Sequence, residues 1–488
     1  MAFIDSSALN VALPALQAGL GATGAQLLWV VNAYLLMLAA LILFGGSLGD
    51  SIGRKRVFQS GIGVFLLASL GCGLAPSIEL LIAARVLQGL GGALMIPSSL
   101  ALISATFPAS ERGRAIGTWS SATTLVTIAG PVLGGVLAGA GLWRGIFLIN
   151  LPLGLLALVA LARLPADPPV SAAPPIDYVG AALASLGLAG VAYGSLAAPE
   201  RGFANPLVAG TLLGGLAGLA AFVLVETRSA HPMMPLRLFG SRTFSGTNLL
   251  TLFLYGALTV STFFLSLNLV NVQGYSQSQA GLAFTPFAVV LALLSRRAGA
   301  LADRHGPRMP LIAGPALVGA SFVAFALVGI TGGPAHYWWT FFPCVLLLGL
   351  GMAITIVPLT AAVMGAVSAR AAGTASGVNN AISRIAGVLG LAIVGALALA
   401  LYSGALEQHG AALALDPAAR AQLRQGAQLG AADLPPAFPA AQAEAARQAI
   451  RLAFADVFRV VMLACAGLAW LSAAMAAVFV RGPATALE

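Results

Sequence analysis

The sequence predicts an all-α integral membrane protein with fourteen transmembrane helices, and two observations support this fold class. Of the 488 residues, 59% are hydrophobic and only 8% are charged, whereas a soluble globular chain is about 25% charged. Apolar runs long enough to cross a roughly 30 Å hydrocarbon layer as helices recur along nearly the whole chain. Because a segment in lipid must satisfy its own backbone hydrogen bonds, each run is expected to be helical.

Glycine, proline and charged residues separate the apolar runs into fourteen candidate spans. In chain order they cover residues 2–18, 27–45, 57–75, 78–100, 114–140, 145–162, 177–197, 206–225, 245–270, 279–298, 309–330, 338–358, 373–401 and 456–480. An even number of spans places both termini on the same side of the membrane.

The distribution of basic residues orients these spans. If both termini are cytoplasmic, the short outer loops carry only Arg144 and Arg201, whereas the inner loops and the C-terminal tail carry fifteen basic residues. The positive-inside rule therefore predicts cytoplasmic termini. The fifteen are Arg54, Lys55, Arg56, Arg112, Arg114, Arg163, Arg228, Arg237, Arg242, Arg296, Arg297, Arg304, Arg308, Arg370 and Arg481. The long segment 402–455 is then outside the membrane, where we expect a solvated, partly helical cap.

Composition and spacing exclude several classes of protein. The net charge of +9 comes from scattered basic residues between apolar runs, a pattern that orients a membrane protein and does not indicate nucleic-acid binding. The cysteines and histidines are isolated, so no disulfide, metal site or cofactor is predicted. The only lysine, Lys55, is flanked by arginines, so the chain lacks the phosphate-binding loop of an ATP-driven pump.

Two loops share one spacing. Residues 46–53 read GSLGDSIG and residues 299–306 read GALADRHG, both G-x-L-x-D-x-x-G. The first loop follows span two and the second follows span ten, so two related halves of six spans separated by a two-span insert would place both loops equivalently. The predicted domains are therefore an N-terminal six-helix bundle at 1–163, an inserted pair at 177–225, and a C-terminal six-helix bundle at 245–480 that includes the 402–455 loop.

Four segments of the first half carry recognisable motifs. They are GSLGDSIGRKR at 46–56, LIAARVLQGLGGA at 81–93, AGPVLGG at 129–135 and DSSALNVALP at 5–14. These segments resemble the major facilitator superfamily, and specifically its fourteen-span drug:proton antiporter branch, whose first-span pattern D-x-T-x-x-N-x-A-L-P is matched with Ser7 in place of threonine. In the second half only residues 299–308 and 373–390 support the resemblance.

The resemblance implies a fold of two pseudo-symmetric six-helix bundles plus two inserted helices, in a monomer of the bacterial inner membrane. It also implies export of small, hydrophobic or drug-like molecules in exchange for protons. The alternative on the same fold is a transporter, exporter or importer, of one specific metabolite, sugar or siderophore. A membrane-embedded lipid-modifying enzyme would need paired carboxylates at a membrane face, and the sequence has none in the short loops.

Asp5 and Arg85 are the candidate proton-coupling residues. A lone carboxylate in a span costs about 2.5 to 3.5 kcal/mol on insertion scales, so Asp5 should face a cavity or a partner. Arg85, which stays charged, is the obvious partner in the first half. We therefore expect Asp5 to carry the proton and Arg85 to tune it. The alternatives are a helix-capping role for Asp5, which lies close to Met1 in a span barely long enough to cross, and structural hydrogen bonding for Arg85.

The two related loops are predicted to latch the halves together at the cytoplasmic face. An aspartate at a helix end can accept hydrogen bonds from the N-terminus of another helix, and the adjacent basic residues can bind acidic groups or lipid headgroups. The alternative is that the basic cluster only sets topology. The candidate latch residues are Gly46, Asp50, Gly53, Arg54, Arg56 and Asp303.

The glycines of span five predict a bend and a close helix contact. Gly130, Pro131, Gly134 and Gly135 clear one surface of side chains. The resemblance implies that this surface forms an outward seal in antiporters, whereas composition alone implies tight packing.

Two polar stripes predict the wall of a central cavity, because their residues recur every three or four positions on one helix face. The stripe in span nine consists of Asn248, Thr251, Tyr255, Thr259, Thr262 and Ser266, and that in span thirteen of Ser376, Asn380 and Arg384. Arg384 would disfavour cationic substrates or pair with an acid. The alternative for both stripes is hydrogen bonding between helices.

Overall fold

The computed structural model consists of long helices joined by short connections. It describes residues 1–22, 24–163, 177–202, 205–229, 232, 234–368, 371–413, 415–417, 420, 438 and 440–480, and no strand occurs among them. The helices of the first half are α1 (Ala2–Leu20), α2 (Gly24–Ile52), α3 (Arg54–Leu74), α4 (Ile78–Thr106), α5 (Ala109–Gly139), α6 (Gly145–Leu148) and α7 (Asn150–Ala162). The insert comprises α8 (Tyr178–Arg201) and α9 (Pro206–Glu226).

The second half begins with a short 3-10 turn at Leu236–Gly240. Its helices are α10 (Arg242–Leu267), α11 (Gln277–Leu282), α12 (Thr285–His305), α13 (Arg308–Leu327), α14 (Phe341–Gly365), α15 (Ala372–Ala412) and α16 (Ala443–Phe479). A π-helical turn, Asn268–Val272, continues α10, and a 3-10 turn, Pro334–Trp339, precedes α14.

Each of the fourteen predicted spans overlaps a helix. In the described part of the chain, eleven helical segments are long and apolar enough to cross a membrane. The helices of spans one, five and seven, which are α1, α5 and α8, are present but are not among the eleven. The all-helical fold class is therefore confirmed, whereas the count of fourteen crossings stays a prediction.

Polar side chains set several helix starts. Asp177, Asn205 and Ser241 accept hydrogen bonds from backbone N–H groups in the first turns of α8, α9 and α10, at 2.7, 3.0 and 3.3 Å. Such caps satisfy donors that have no partner within the helix. Between the spans, the chain reverses at glycines with positive φ, including Gly53 at +108° and Gly306 at +80°, a conformation that disfavours other residues.

The last two long helices extend well beyond the predicted spans. At 1.5 Å per residue, the 41 residues of α15 and the 37 of α16 measure roughly 60 and 55 Å, against roughly 30 Å of hydrocarbon. Both ends of the predicted 402–455 loop are therefore helical, and most of its centre lies outside the described residues. We call the paired extensions, 402–412 and 443–455, the stalk. Hydropathy misses such extensions because a helix can continue into water with polar side chains.

The two halves meet along α2 with α15 and α5 with α12. Helices α8 and α9 pack against each other as a hairpin, and α8 packs against α2. The ring of Trp29 on α2 lies 6.0 Å from that of Tyr193 on α8. Large apolar side chains such as Leu67 and Leu327 are exposed on the outer surface, as expected for a surface that faces lipid. The end of the bundle at which α2 turns into α3 and α12 into α13 is here called the latch end.

Candidate functional site

A cavity of about 600 Å³ lies between the two halves. Helices α1, α2, α4 and α5 form one wall, and α10, α14 and α15 form the other. The first wall is largely apolar and aromatic, with Phe3, Leu35, Leu38, Ile96 and Trp119, and it also carries hydroxyl groups. The second wall is more polar. The predicted cavity residues Tyr255, Asn380 and Arg384 line it, together with Ser376.

Asp5 lies beside the cavity without lining it. Its side chain is fully buried and forms an ion pair with the guanidinium of Arg85. The other carboxylate oxygen accepts hydrogen bonds from Gln88 Nε2 at 2.9 Å and from Asn150 Nδ2 at 3.1 Å. The predicted pair of acid and cation is therefore present in the structure, inside the first half.

Arg85 is held on several sides. Its Nε donates to the carbonyl of Val30 at 2.9 Å, its Nη1 donates to Gln88 Oε1 at 2.7 Å, and its guanidinium lies 4.5 Å from the ring centroid of Tyr34. Ser69 accepts from Gln88 at 2.8 Å and from Asn150 at 3.3 Å. A buried ion pair is tolerated when extra hydrogen bonds satisfy its remaining atoms. The network ties α1, α2, α3, α4 and α7 together around Asp5.

Helix α1 has two functional faces. Asp5 points into the first half, whereas Ala2, Phe3 and Ser7 line the cavity. Phe3 and Ser7 each lie two residues from Asp5 and so point to a different side of the helix, which means that a change at Asp5 can reach them through movement of α1. A second connection runs from Asp5 through Arg85 to Tyr34, whose ring contacts the guanidinium and also lines the cavity.

The latch end carries two carboxylates in equivalent positions. Asp50, near the end of α2, accepts from the backbone N–H of Gly373 at 3.0 Å and of Thr374 at 2.6 Å, at the start of α15. Asp303, near the end of α12, accepts from the N–H of Gly113 and of Arg114, both at 2.8 Å, near the start of α5. Each carboxylate therefore binds the N-terminal end of a helix in the other half, where negative charge is favourable.

Glycines make these contacts possible. A side chain at Gly46 would collide with the backbone of Gly373, and one at Gly299 would collide with that of Gly113. Arg54 donates to Asp50 from its own half, at 3.2 Å. Arg56 is exposed.

The glycine face of α5 packs against α1. A Cβ atom at Gly130 would meet the side chain of Ser7, and one at Gly134 would meet the carbonyl of Ala8. Helix α5 continues through this region to Gly139, and the side chain of Pro131 lies outside the described residues. Gly135 is half-buried. The contact brings the predicted antiporter segment to within three residues of Asp5.

Part of the predicted cavity stripe in span nine does not line the cavity. Asn248 and Thr251 are buried, and both accept from Asn379 Nδ2 of α15, at 3.2 and 2.7 Å. Thr259 is exposed and donates to the carbonyl of Tyr255 within its own helix. For Asn248 and Thr251 the structure therefore shows hydrogen bonding between helices, through Asn379, which itself borders the cavity.

Sequence reasoning missed several residues of the site. Gln88 could have been predicted from the sequence as a partner of Arg85, since it lies one turn later on the same helix face. For Asn150 the signal was weaker: it is a polar residue inside the apolar span 145–162. The hydroxyls of Ser120, Thr123 and Thr127 line the cavity at spacings of three and four residues on α5, a periodicity that was available from the sequence.

The chain is similar to known transporters in sequence and in fold. A profile of the Major Facilitator Superfamily matches residues 1–391. The chain is 35% identical over 435 residues to the multidrug resistance protein Stp of Mycobacterium tuberculosis (strain CDC 1551 / Oshkosh), covering 86% of this chain and 78% of that protein. It is 39% identical over 395 residues to the cephamycin export protein CmcT of Amycolatopsis lactamdurans, covering 80% and 81%.

Among solved structures, the proton:xylose symporter XylE bound to 6-bromo-6-deoxy-D-glucose superimposes with a TM-score of 0.56 at 13% sequence identity, covering 98% of this chain and 93% of that one. This likeness concerns the fold alone. The members of this family are transporters and not enzymes, as the sequence predicts. The extent of the profile match and the identity to these relatives show that the chain belongs to the Major Facilitator Superfamily.

Proposed function

We propose that this protein exports small, hydrophobic or drug-like molecules across the bacterial inner membrane in exchange for protons, with Asp5 as the proton carrier. The relatives named above as a multidrug resistance protein and an export protein support export. The observation that carries the proton-coupling role is the placement of Asp5, a fully buried carboxylate paired with Arg85 on a helix whose other face lines the cavity.

The proposed coupling runs through α1. Protonation of Asp5 removes its charge and weakens its attraction to Arg85, since the ion pair becomes an interaction between a neutral acid and a cation. Helix α1 is then free to shift along the glycine face of α5 at Gly130 and Gly134. That shift moves Phe3 and Ser7 in the cavity wall and so changes the affinity for substrate.

The latch carboxylates would control access at one end. With Asp50 and Asp303 both bound to helices of the opposite half, the latch end is closed. Its basic residues place it in the cytoplasm by the positive-inside rule. Breaking both contacts in each cycle would open the cavity to the cytoplasm, as rigid-body rocking of two halves requires.

We extend the proposal to topology and assembly. Helices α1, α5 and α8 are taken to cross the membrane with the eleven apolar segments, which gives fourteen crossings and cytoplasmic termini. The predicted domains at 1–163, 177–225 and 245–480 are retained. Both walls of the cavity are formed by helices of one chain, which supports a monomer as the proposed working unit.

The test is drug-driven proton release from energised everted vesicles, with the Asp5→Asn variant. We expect Asp5→Asn to lose gradient-driven transport of the uncharged fluorescent probe N-phenyl-1-naphthylamine while it still binds the probe, because the amide cannot exchange a proton. Asp456→Asn changes an exposed aspartate next to the stalk, where it pairs with His409; it is the matched control and should transport normally. Full gradient-driven transport by Asp5→Asn would contradict the proposal, as would unchanged wild-type transport after a protonophore collapses the gradient.

A further inference from the structure

Arg384 differs from the other cavity side chains because its charge is not balanced there. It is the one charged residue among the described residues that line the cavity. Its Nε atom is buried and has no hydrogen-bond partner among the described atoms. A guanidinium stays charged in proteins, and an N–H group removed from water without an acceptor is unfavourable. The cavity therefore presents a positive charge that lacks a protein counter-charge.

The carboxylates of the site are engaged elsewhere. Asp5 is fully buried in the first half, where Arg85, Gln88 and Asn150 occupy its oxygens. Asp50 binds the start of α15 at the latch end. In this conformation neither is available to Arg384, and no other carboxylate lines the cavity among the described residues, so a bound molecule can supply the negative group.

The neighbouring polar groups of α15 strengthen this assignment. Asn380 Nδ2 donates to the carbonyl of Ser376 at 2.9 Å, and Ser383 Oγ donates to the carbonyl of Asn380 at 2.8 Å. Asn379 Nδ2 is used in the contacts with α10. Ser376 Oγ is a further donor of this wall that has no hydrogen-bond partner among the described atoms, but the guanidinium of Arg384 is the donor that also carries a charge.

The opposite wall has a different chemistry. Phe3 and Trp119 lie edge to face with ring centroids 6.2 Å apart, and Leu35, Leu38 and Ile96 adjoin the same cavity. A molecule that satisfies both walls has an apolar body and a compact anionic group. We infer that the site takes amphipathic organic anions, with a carboxylate or similar oxyanion at Arg384 and an aromatic or aliphatic body against Phe3 and Trp119. This inference rests on the proposed transport function and names the substrate class for the same cavity.

Direct binding to the purified full-length protein tests the inference without any gradient. Three probes share one ring system and differ in charge: 2-naphthoate, its methyl ester, and 2-naphthylmethylammonium. We expect wild-type protein to bind the carboxylate roughly tenfold to a hundredfold more tightly than the ester, since hydrogen bonds to charged groups carry that much affinity. The ammonium probe should bind most weakly.

Variants of Arg384 test whether this residue causes the preference for the carboxylate probe. Arg384→Gln should abolish the difference between carboxylate and ester while leaving ester affinity within about threefold. Arg384→Lys should retain part of the preference, because it keeps the charge but not the planar fork. Arg451→Gln removes an exposed arginine that pairs with Glu444 on the stalk, and is the matched control that should behave as wild type.

Several outcomes would overturn the inference. These are a wild-type protein with no preference for the carboxylate, a preference for the ammonium probe, or an intact anion preference in Arg384→Gln. If Arg384→Gln does not elute as a folded protein in size-exclusion chromatography, the probe preferences of the wild type and of Arg384→Lys still test the inference. If the protein does not prefer the carboxylate probe, the proposal of proton-driven export still stands. If Asp5→Asn keeps full gradient-driven transport, the binding result still stands. The two proposals can therefore be refuted separately.

Discussion

The two halves of the bundle surround their buried arginines in opposite ways. Arg85 in the first half is fully enclosed by a carboxylate, an amide, a backbone carbonyl and an aromatic ring. Arg384 in the second half borders the cavity and has an Nε atom without a partner among the described residues. One arginine serves as an internal counter-charge, and the other is left for a ligand.

The surroundings explain why both arrangements are tolerated. A charge removed from water is stable only when paired and hydrogen-bonded, as Arg85 is. Arg384 can lack a carboxylate partner in the protein because a cavity of about 600 Å³ adjoins it, which water or a bound anion can fill. The first half therefore depends on its ion pair for stability, while the second half reserves its cation for binding.

Among the variants that test this comparison, the one that removes Arg85 should have the largest effect, and the effect should be on stability. Arg85→Gln leaves Asp5 buried without its counter-charge, and breaking such a pair typically costs about 3 to 5 kcal/mol. We expect a large loss of thermal stability, measured by unfolding of the detergent-solubilised protein. Arg384→Gln should shift the midpoint far less.

A double variant sharpens the result. Asp5→Asn with Arg85→Gln replaces the ion pair by two amides and should recover much of the stability lost in Arg85→Gln. Equal destabilisation by Arg85→Gln and Arg384→Gln would show that the two arginines have equivalent surroundings, against the difference described here.

The latch carboxylates Asp50 and Asp303, in contrast, make equivalent contacts, so their removal should have equal effects. Asp50→Ala and Asp303→Ala each remove a carboxylate that accepts two backbone hydrogen bonds across the interface, worth on the order of 1 to 3 kcal/mol. We expect each variant to open the latch end and the double variant to open it further. The readout is thiol labelling of Ser98→Cys, a position only 1% exposed, in a background without the native cysteines.

The size of the latch effect should be comparable for the two single variants, about tenfold in labelling rate. Glu79→Gln, which changes an exposed acid that accepts from Gln26 on the opposite end, is the control and should label slowly. Fast labelling in only one single variant would mean that one carboxylate alone holds the halves together.

The smallest expected effects distinguish Asn379 from Asn380, two adjacent residues on α15. Asn379→Ala removes hydrogen bonds to Asn248 and Thr251, and interhelical hydrogen bonds in membranes average about 0.6 kcal/mol. We expect a slightly lower unfolding midpoint and little change in probe binding. Both amides border the cavity, but the hydrogen bond of Asn380 stays within α15, so Asn380→Ala should change probe binding more and the unfolding midpoint less. A larger binding defect in Asn379→Ala than in Asn380→Ala would contradict these assignments.

Much of the fold could be predicted because membrane crossing leaves a local signal. Each helix must be apolar over a fixed length and must satisfy its own backbone, so the spans overlap helices along the chain. The predicted spans are shorter than α15 and α16, because hydropathy does not indicate how far a helix continues outside the lipid. The two aspartate loops were also readable from sequence, as a repeat of residue type and spacing.

The sequence by itself determined the helical membrane fold, and it predicted the two related halves and the candidate residues Asp5, Arg85 and Arg384. Only the tertiary structure decided which partner each one has. Asn248 and Thr251 share a helix face with Tyr255, yet Asn379 of α15 reaches the first two and leaves the third at the cavity. Periodicity fixes the face of a helix, but packing against helices distant in sequence fixes whether that face meets protein, lipid or a cavity.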